Sequence, residues 1–291
     1  MILKVFKKDL MTKTCLLFIL FLCFDLFARG MQKEDSLQFI PDRRIFPVIF
    51  LDPIECQING GSYFLNQKEQ DLSLYSVVNL GFNRPVLAKH ARKFSWEINF
   101  GAANFSQFEL REKSDGTYLA GLLNSDFKLS GDLSIKKNKN NIRLRIFHVS
   151  SHLGDDYLAR NQDTLQNDKS VNYEQADLTY LRSAGSNFYY CGIGVIFTKY
   201  VYRERLSFQG GGLYNFKSSG PNNLFTSLNI NVLAENDFVP DVRTAFGLSF
   251  NRRSDPLFRI WLEYYNGQLP YSTLDYGRVN WLGLALWMKL I

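Results

Sequence analysis

Past residue 30, apolar and polar residues alternate with a period of two along most of the chain. The clearest run is 119–136. Leu119, Leu123, Phe127, Leu129, Leu133 and Ile135 occupy one face, and Asn124, Asp126, Lys128, Ser130, Asp132, Ser134 and Lys136 the other. Segment 94–101 sets Phe94, Trp96, Ile98 and Phe100 against Ser95, Glu97 and Asn99. In 241–251, Val242, Thr244, Phe246, Leu248 and Phe250 oppose Asp241, Arg243, Ser249 and Asn251. The last run carries Leu282, Leu284, Leu286, Met288 and Leu290 on one face. Side chains alternate across a strand, so each run predicts a β-strand with one apolar and one polar face. About twelve strands follow, near 58–66, 72–82, 94–105, 118–136, 142–150, 171–182, 187–198, 205–217, 223–234, 241–252, 258–266 and 280–291.

The polar faces carry Asp, Lys, Arg and Glu deep inside these strands, which a packed soluble core rejects unless each charge is paired. With the apolar face toward lipid and the polar face toward a wet lumen, the same pattern is stable. Connections alternate in length as well. KNKNN (137–141), RSAGSN (182–187), SSGPNN (218–223) and RRSDP (252–256) are tight, whereas 151–170 and NGQLPYSTLDYG (266–277) are long. A C-terminal strand ending on the periplasmic side puts every tight connection there and the long ones outside. The expected fold is therefore all-β, an antiparallel up-and-down transmembrane β-barrel of about twelve strands over 58–291. Residues 31–57, with two prolines in IFPVIFLDPIECQ (45–57), read as a periplasmic lead-in or plug. The competing architecture is a soluble, exported β-sandwich.

Export itself is read from the N-terminus. Lys4, Lys7, Lys8 and Lys13 precede the apolar run CLLFILFLCF (15–24), and Ala28 and Gly30 supply small residues at the −3 and −1 positions. This pattern predicts a secretory signal peptide over 1–30, cleaved after Gly30, and hence localisation in a bacterial outer membrane. Beyond it no apolar run approaches the roughly 20 residues of a transmembrane helix. The chain has 291 residues, 25 of them Phe and 15 Tyr, yet its mean hydropathy is −0.17. Its apolar residues are dispersed rather than massed. Five cations and two anions leave with the signal, so the formal charge falls from +6 to about +3, which gives no reason to invoke nucleic acid. Cys56 and Cys191 remain; they leave one disulfide open but make no disulfide framework.

Two of the three histidines lie in one stretch, IRLRIFHVSSHLGDDY (142–157). Ile142, Leu144 and Ile146 must face lipid and Arg143 and Arg145 the lumen, where Asp126 and Asp132 of the preceding strand are the expected partners. By parity His148 and Ser150 also point toward lipid, near the outer end of the strand. His148 and His152 have the spacing of a helical zinc pair, but on a strand four residues span roughly 13 Å, too far for one ion. Residues i and i+2 share a face roughly 6–7 Å apart, which an imidazole can bridge to a hydroxyl. Serine needs such a base, and the base an orienting acceptor. Closing the hairpin symmetrically around 151–171 sets Glu174 opposite His148 and Asn172 opposite Ser150.

A His-x-Ser on a lipid-facing strand, with an acid or amide on the neighbouring strand, resembles the sites of two families. One is the outer-membrane phospholipases A, twelve-stranded barrels with a His-x-Ser and Asn arrangement. The other is the lipid A deacylases, with His-x-Ser and Glu. The resemblance implies Ser150 as nucleophile, His148 as base, and Glu174, or alternatively Asn172, as orienter. It departs at Ser151, where the phospholipases have Asn followed by Gly, and in the longer loop 151–170. The whole chain is similar to an uncharacterised family of exported bacterial proteins. The shared residues are the early Leu51-Asp52-Pro53 element and the H-x-S-S-H-L-G-D run at 148–155.

The expected activity is hydrolysis of an acyl ester in an outer-leaflet lipid, a phospholipid or lipid A, with a homodimer among the assemblies such a barrel can form. Ser151, His152 and Gly154 are candidates for the oxyanion-binding loop. Asp155 and Asp156 are candidates for calcium, through hard oxygen ligands. The bland alternative makes His148 and Ser150 girdle residues, His152 through Asp156 a solvated loop, and the protein a non-enzymatic transport or structural barrel.

Overall fold

A computed structural model describes residues 37–67, 70–91, 94–112, 116–160, 172–198, 204–216, 220–250, 256–270 and 278–289. The expected signal peptide, residues 31–36 and most of the loop before 172 lie outside the described residues. Twelve strands form the wall: β2 (Ile58–Gln67), β3 (Gln70–Lys89), β4 (Ser95–Glu112), β5 (Tyr118–Lys137), β6 (Asn140–Leu153), β7 (Asn172–Ala184), β8 (Asn187–Ile196), β9 (Leu206–Asn215), β10 (Asn223–Leu233), β11 (Asp241–Phe250), β12 (Phe258–Gln268) and β13 (Arg278–Met288). Each pairs antiparallel with the next, and β13 pairs with β2, so the sheet closes on itself. Closure leaves no edge, the condition for burying a sheet in lipid.

The alternation read from the sequence sets the two surfaces of this wall. Leu284 on β13 is 60% exposed, while Arg143 on β6 and Glu263 on β12 are 0% exposed. Apolar side chains thus face outward and charged ones inward, the inverse of a soluble protein. At 18–20 residues, β3, β4 and β5 exceed the roughly 9–11 that cross a bilayer, so this part of the wall stands beyond the hydrocarbon. Two features extend the sequence reading. β6 runs past Ser150 to Leu153, and a short strand β1 (Leu37–Phe39) pairs with Leu87–Lys89 of β3 outside the ring. β3 tolerates Pro85 because the register with β4 shifts between Pro85 and Leu87, where a missing N–H breaks no regular ladder.

The segment from Arg44 to Gln57 runs inside the barrel. Phe50 meets Phe225 and Trp261 edge-on, with ring centroids 5.4 and 5.2 Å away. Lys128 Nζ donates to the Ile54 carbonyl at 2.6 Å. Glu55 accepts two bonds from Arg143 Nη1, at 2.9 and 3.0 Å, and a third from Arg145 at 3.2 Å. Arg145 also reaches Asp52 at 3.3 Å and Asp177 at 2.7 Å. The expected pairing of these arginines with Asp126 and Asp132 does not occur. Asp132 instead accepts from Asn83 and Asn99, and Asn124 donates to Asp126. The inserted segment brings carboxylates to the barrel's centre, where both guanidinium groups reach them. Cys56 is buried in the lumen and Cys191 exposed on β8, both free thiols, so the barrel wall separates them.

A lumen packed this way is filled rather than open. Stable conductance steps are not expected when the protein is inserted in a planar bilayer. Large, steady steps in the wild-type protein would contradict the packing around Phe50, Trp261 and the Arg143–Glu55 pair.

Candidate active site

The sequence's parity argument is met along β6. Its odd positions, Arg143 through Ser151, are buried toward the lumen, and its even positions face outward to His152. The β6–β7 register places His148 opposite Glu174 and Ser150 opposite Asn172. On the other side β5 sets Leu129, Phe127 and Ser125 opposite His148, Ser150 and His152. Ser150 is therefore flanked on one face by a histidine two residues before and another two residues after. Sequence reasoning ended the strand at 150 and left His152 to a loop, so this second neighbour was missed.

Two contacts organise the row. His148 Nδ1 lies 2.9 Å from Glu174 Oε1, and Ser150 Oγ lies 2.8 Å from His152 Nε2. The carboxylate can only accept, so it fixes His148 as the Nδ1–H tautomer and leaves Nε2 as the basic nitrogen. The expected Ser150–His148 contact is not made in this arrangement; the hydroxyl is turned to His152 instead. The ring of His152 is further placed by an edge contact with Phe127, centroids 5.9 Å apart. Asn172, across from Ser150, has its side-chain oxygen buried with no hydrogen-bond partner.

The other candidates fall elsewhere. Ser151 turns into the lumen and bonds Asn124 at 3.3 Å, so its hydroxyl is on the wrong side of the wall for lipid. Gly154 donates its N–H to the Leu123 carbonyl at 2.8 Å and is no free oxyanion donor. Asp155 and Asp156 open a short helix α1 (Asp155–Arg160), and Asp156 accepts from the Leu122 amide at 2.9 Å. Among the described residues no three His, Cys, Asp or Glu side chains converge as metal ligands. Asp156, bonded to a backbone amide, and Asp155 beside it supply only part of the six to eight oxygens calcium takes.

Gly154 is fixed by space. A Cβ there would stand 2.0 Å from the Leu122 carbonyl oxygen, a backbone atom that cannot swing away. Gly154→Ala is expected to detach the start of the 154–171 connection from β5. Limited proteolysis should then cut between 154 and 160, with the barrel's heat-modifiable mobility on gels unchanged. Resistance equal to wild type would contradict the steric reading.

A further polar group on the outer surface was not singled out from the sequence. On β4, Ile98, Phe100 and Ala102 face lipid, but Asn104 and Ser106 follow them on the same face. Asn104 Nδ2 donates to Ser125 Oγ at 2.8 Å, and Ser106 Oγ to Asn104 Oδ1 at 2.7 Å. The signal was that break in an otherwise apolar outward row.

A family model described as "Protein of unknown function (DUF1207)" matches residues 37–289. No curated protein matches the chain. Among solved structures, the outer membrane phospholipase A of Escherichia coli is similar with a TM-score of 0.51 at 10% identity, over 85% of this chain and 95% of that one. An active-site variant of that enzyme gives 0.50 at 10% identity, with the same 85% and 95% covered. The Salmonella typhi outer membrane phospholipase, a dimer with bound calcium, gives 0.49 at 10% identity over 86% and 94%. Identity this low establishes a shared outer-membrane barrel fold and nothing finer.

Proposed function

We infer that this chain, which belongs to the DUF1207 family of proteins of unknown function, is an outer-membrane barrel that hydrolyses acyl esters of outer-leaflet lipids. One observation carries the reading. A serine hydroxyl hydrogen-bonded to an imidazole nitrogen, and a second imidazole held by a carboxylate, stand in one row on the lipid-facing surface. A glutamate facing lipid has little structural reason to be there, because hydrocarbon offers an exposed carboxylate no partner. In this scheme Glu174 orients His148. Rotation about the Ser150 Cα–Cβ bond carries the hydroxyl from His152 to His148 Nε2, two residues away on the same face. Ser150 Oγ then attacks the acyl carbonyl while its proton passes to His148. That proton leaves with the alcohol, and water releases the fatty acid from the acyl-serine by the reverse transfer. Asn172 stands opposite Ser150, so its side-chain amide N–H is the donor assigned to the oxyanion in this scheme.

A homodimer and a calcium effect enter as arms of the test. Purified barrel in detergent, given labelled phospholipid or lipid A with and without calcium, should release fatty acid. A correctly folded barrel inert on both lipids in all conditions would overturn the proposal. The contacts of the inserted segment with Phe225, Trp261, Arg143 and Arg145 speak against a wide pore.

A further inference from the structure

The outward surface of the barrel is largely apolar; Asn104, Ser106 and Ser125 interrupt it beside the row of Ser150, and Ser62 and Ser76 do so as a separate hydroxyl pair. Their placement follows from register. Ser106 stands opposite Ser125, and Ser125 opposite His152, so one line of polar side chains crosses β4, β5 and β6. Asn104 begins the next line, followed by Phe127, Ser150 and Asn172. Neutral polar groups in contact with acyl chains are costly unless satisfied. Here they satisfy one another incompletely. Asn104 uses one amide hydrogen well, at 2.8 Å to Ser125, but the other reaches only the Asp126 carbonyl at 3.5 Å. Ser106 and Ser125 lie 3.2 Å apart, longer than the roughly 2.7–2.8 Å of a good hydroxyl pair. One amide hydrogen and one hydroxyl hydrogen are therefore held loosely, on side chains of the outward row.

We propose that Asn104, Ser106 and Ser125 form a neutral hydrogen-bonding subsite for a second acyl ester of the lipid whose scissile ester lies at Ser150. This rests on the hydrolase reading above. Two loosely held donors match one ester carbonyl, an acceptor with two lone pairs. Among the described residues no lysine or arginine stands at the outward positions of β4–β7 at this level, so the strip itself is neutral. Ser125 stands diagonal to Ser150 across a single strand gap, roughly 7–8 Å between backbones, a span that esters on neighbouring carbons of one molecule bridge. The substrate class is thus a lipid with paired acyl esters. Glycerophospholipids and the acyloxyacyl groups of lipid A both offer that chemistry.

The test compares a diacyl phosphatidylethanolamine, its monoacyl lyso form and lipid A as substrates for the full barrel in mixed micelles. Wild type should prefer the diacyl lipid, or lipid A if that is the source of the paired ester. Asn104→Leu and Ser125→Ala should each lower the paired-ester to monoester ratio of kcat/KM about tenfold, the worth of one or two neutral hydrogen bonds, chiefly through KM. An equal loss on both substrates, or a shift in oligomer size with the ratio unchanged, would overturn the subsite. Binding separates this from the catalytic reading. Ser150→Ala protein should still bind a fluorescent diacyl phosphatidylethanolamine more tightly than the lyso lipid, and adding Asn104→Leu should remove that preference. If wild type hydrolyses nothing while this preference holds, only the catalytic reading falls; if the preference is missing, the subsite does.

Discussion

Ser150→Ala is expected to remove at least about 10³-fold of any fatty-acid release while leaving the barrel folded, because the hydroxyl contributes no packing and only one exposed hydrogen bond. The two histidines on either side of it should not respond alike. His148→Ala should cost a similar factor, since Glu174 holds that ring in the tautomer that leaves a basic Nε2. His152→Ala should cost less than about tenfold, because among the described residues only Phe127 and Ser150 fix the ring and no carboxylate pairs with it. Initial rates of the three variants, checked for folding by heat-modifiable mobility, decide the matter. A larger loss for His152→Ala than for His148→Ala would transfer the base role to His152 and leave the His148–Glu174 pair as a surface ion pair.

Glu55→Ala is expected to be the most destabilising single change in the barrel. Its carboxylate is 1% exposed and meets Arg143, Arg145 and, at 3.5 Å, Arg44. Removing it leaves the buried Arg143 guanidinium without its carboxylate partner, while Arg145 keeps Asp52 and Asp177, a loss of about 3–5 kcal/mol in comparable cases. Burial alone would raise the pKa of Glu55, but Arg143, Arg145, Arg44 and Lys128 together outweigh it and hold the value at about 2, against 4.5 for a free glutamate. A folded-state pKa below the unfolded one stabilises the protein above pH 4.5, and that contribution is lost as pH falls toward 2. Urea unfolding in micelles should therefore separate wild type from Glu55→Ala at pH 7, with the gap closing between pH 4.5 and 2. A gap independent of pH would show that the side chain acts by packing and not by charge.

The same arginines connect the inside of the wall to its outside. Arg143 and Arg145 alternate along β6 with Ile142, Leu144, Ile146 and then His148, so the strand that carries the candidate site is pinned from within by Asp52 and Glu55. The Leu51-Asp52-Pro53 element, notable in the sequence only as a short motif, thereby has a physical task. Asp52 both caps the local turn, accepting the Ile54 amide at 3.1 Å, and anchors Arg145.

The strands, the β6–β7 register and most of the faces are legible in the sequence; Leu123, expected toward lipid, is instead buried in the lumen, because the β4–β5 register shifts between Gln107 and Phe108. A period of two admits only one assignment of faces once aliphatic residues must meet lipid and charges must not. A symmetric hairpin then leaves a single pairing of His148 with Glu174 and of Ser150 with Asn172, which the structure has. The contacts of the wall with the inserted segment, and the side-chain contacts across β4 and β5, follow only from the tertiary structure. Glu55 reaches Arg143 across 88 residues of chain, and Asn104 reaches Ser125 across 21; no local periodicity encodes such meetings. Nor does parity choose between the two histidines beside Ser150. Both lie on its face at equal spacing, and only side-chain rotation, set by Glu174 on one side and Phe127 on the other, turns the hydroxyl toward His152.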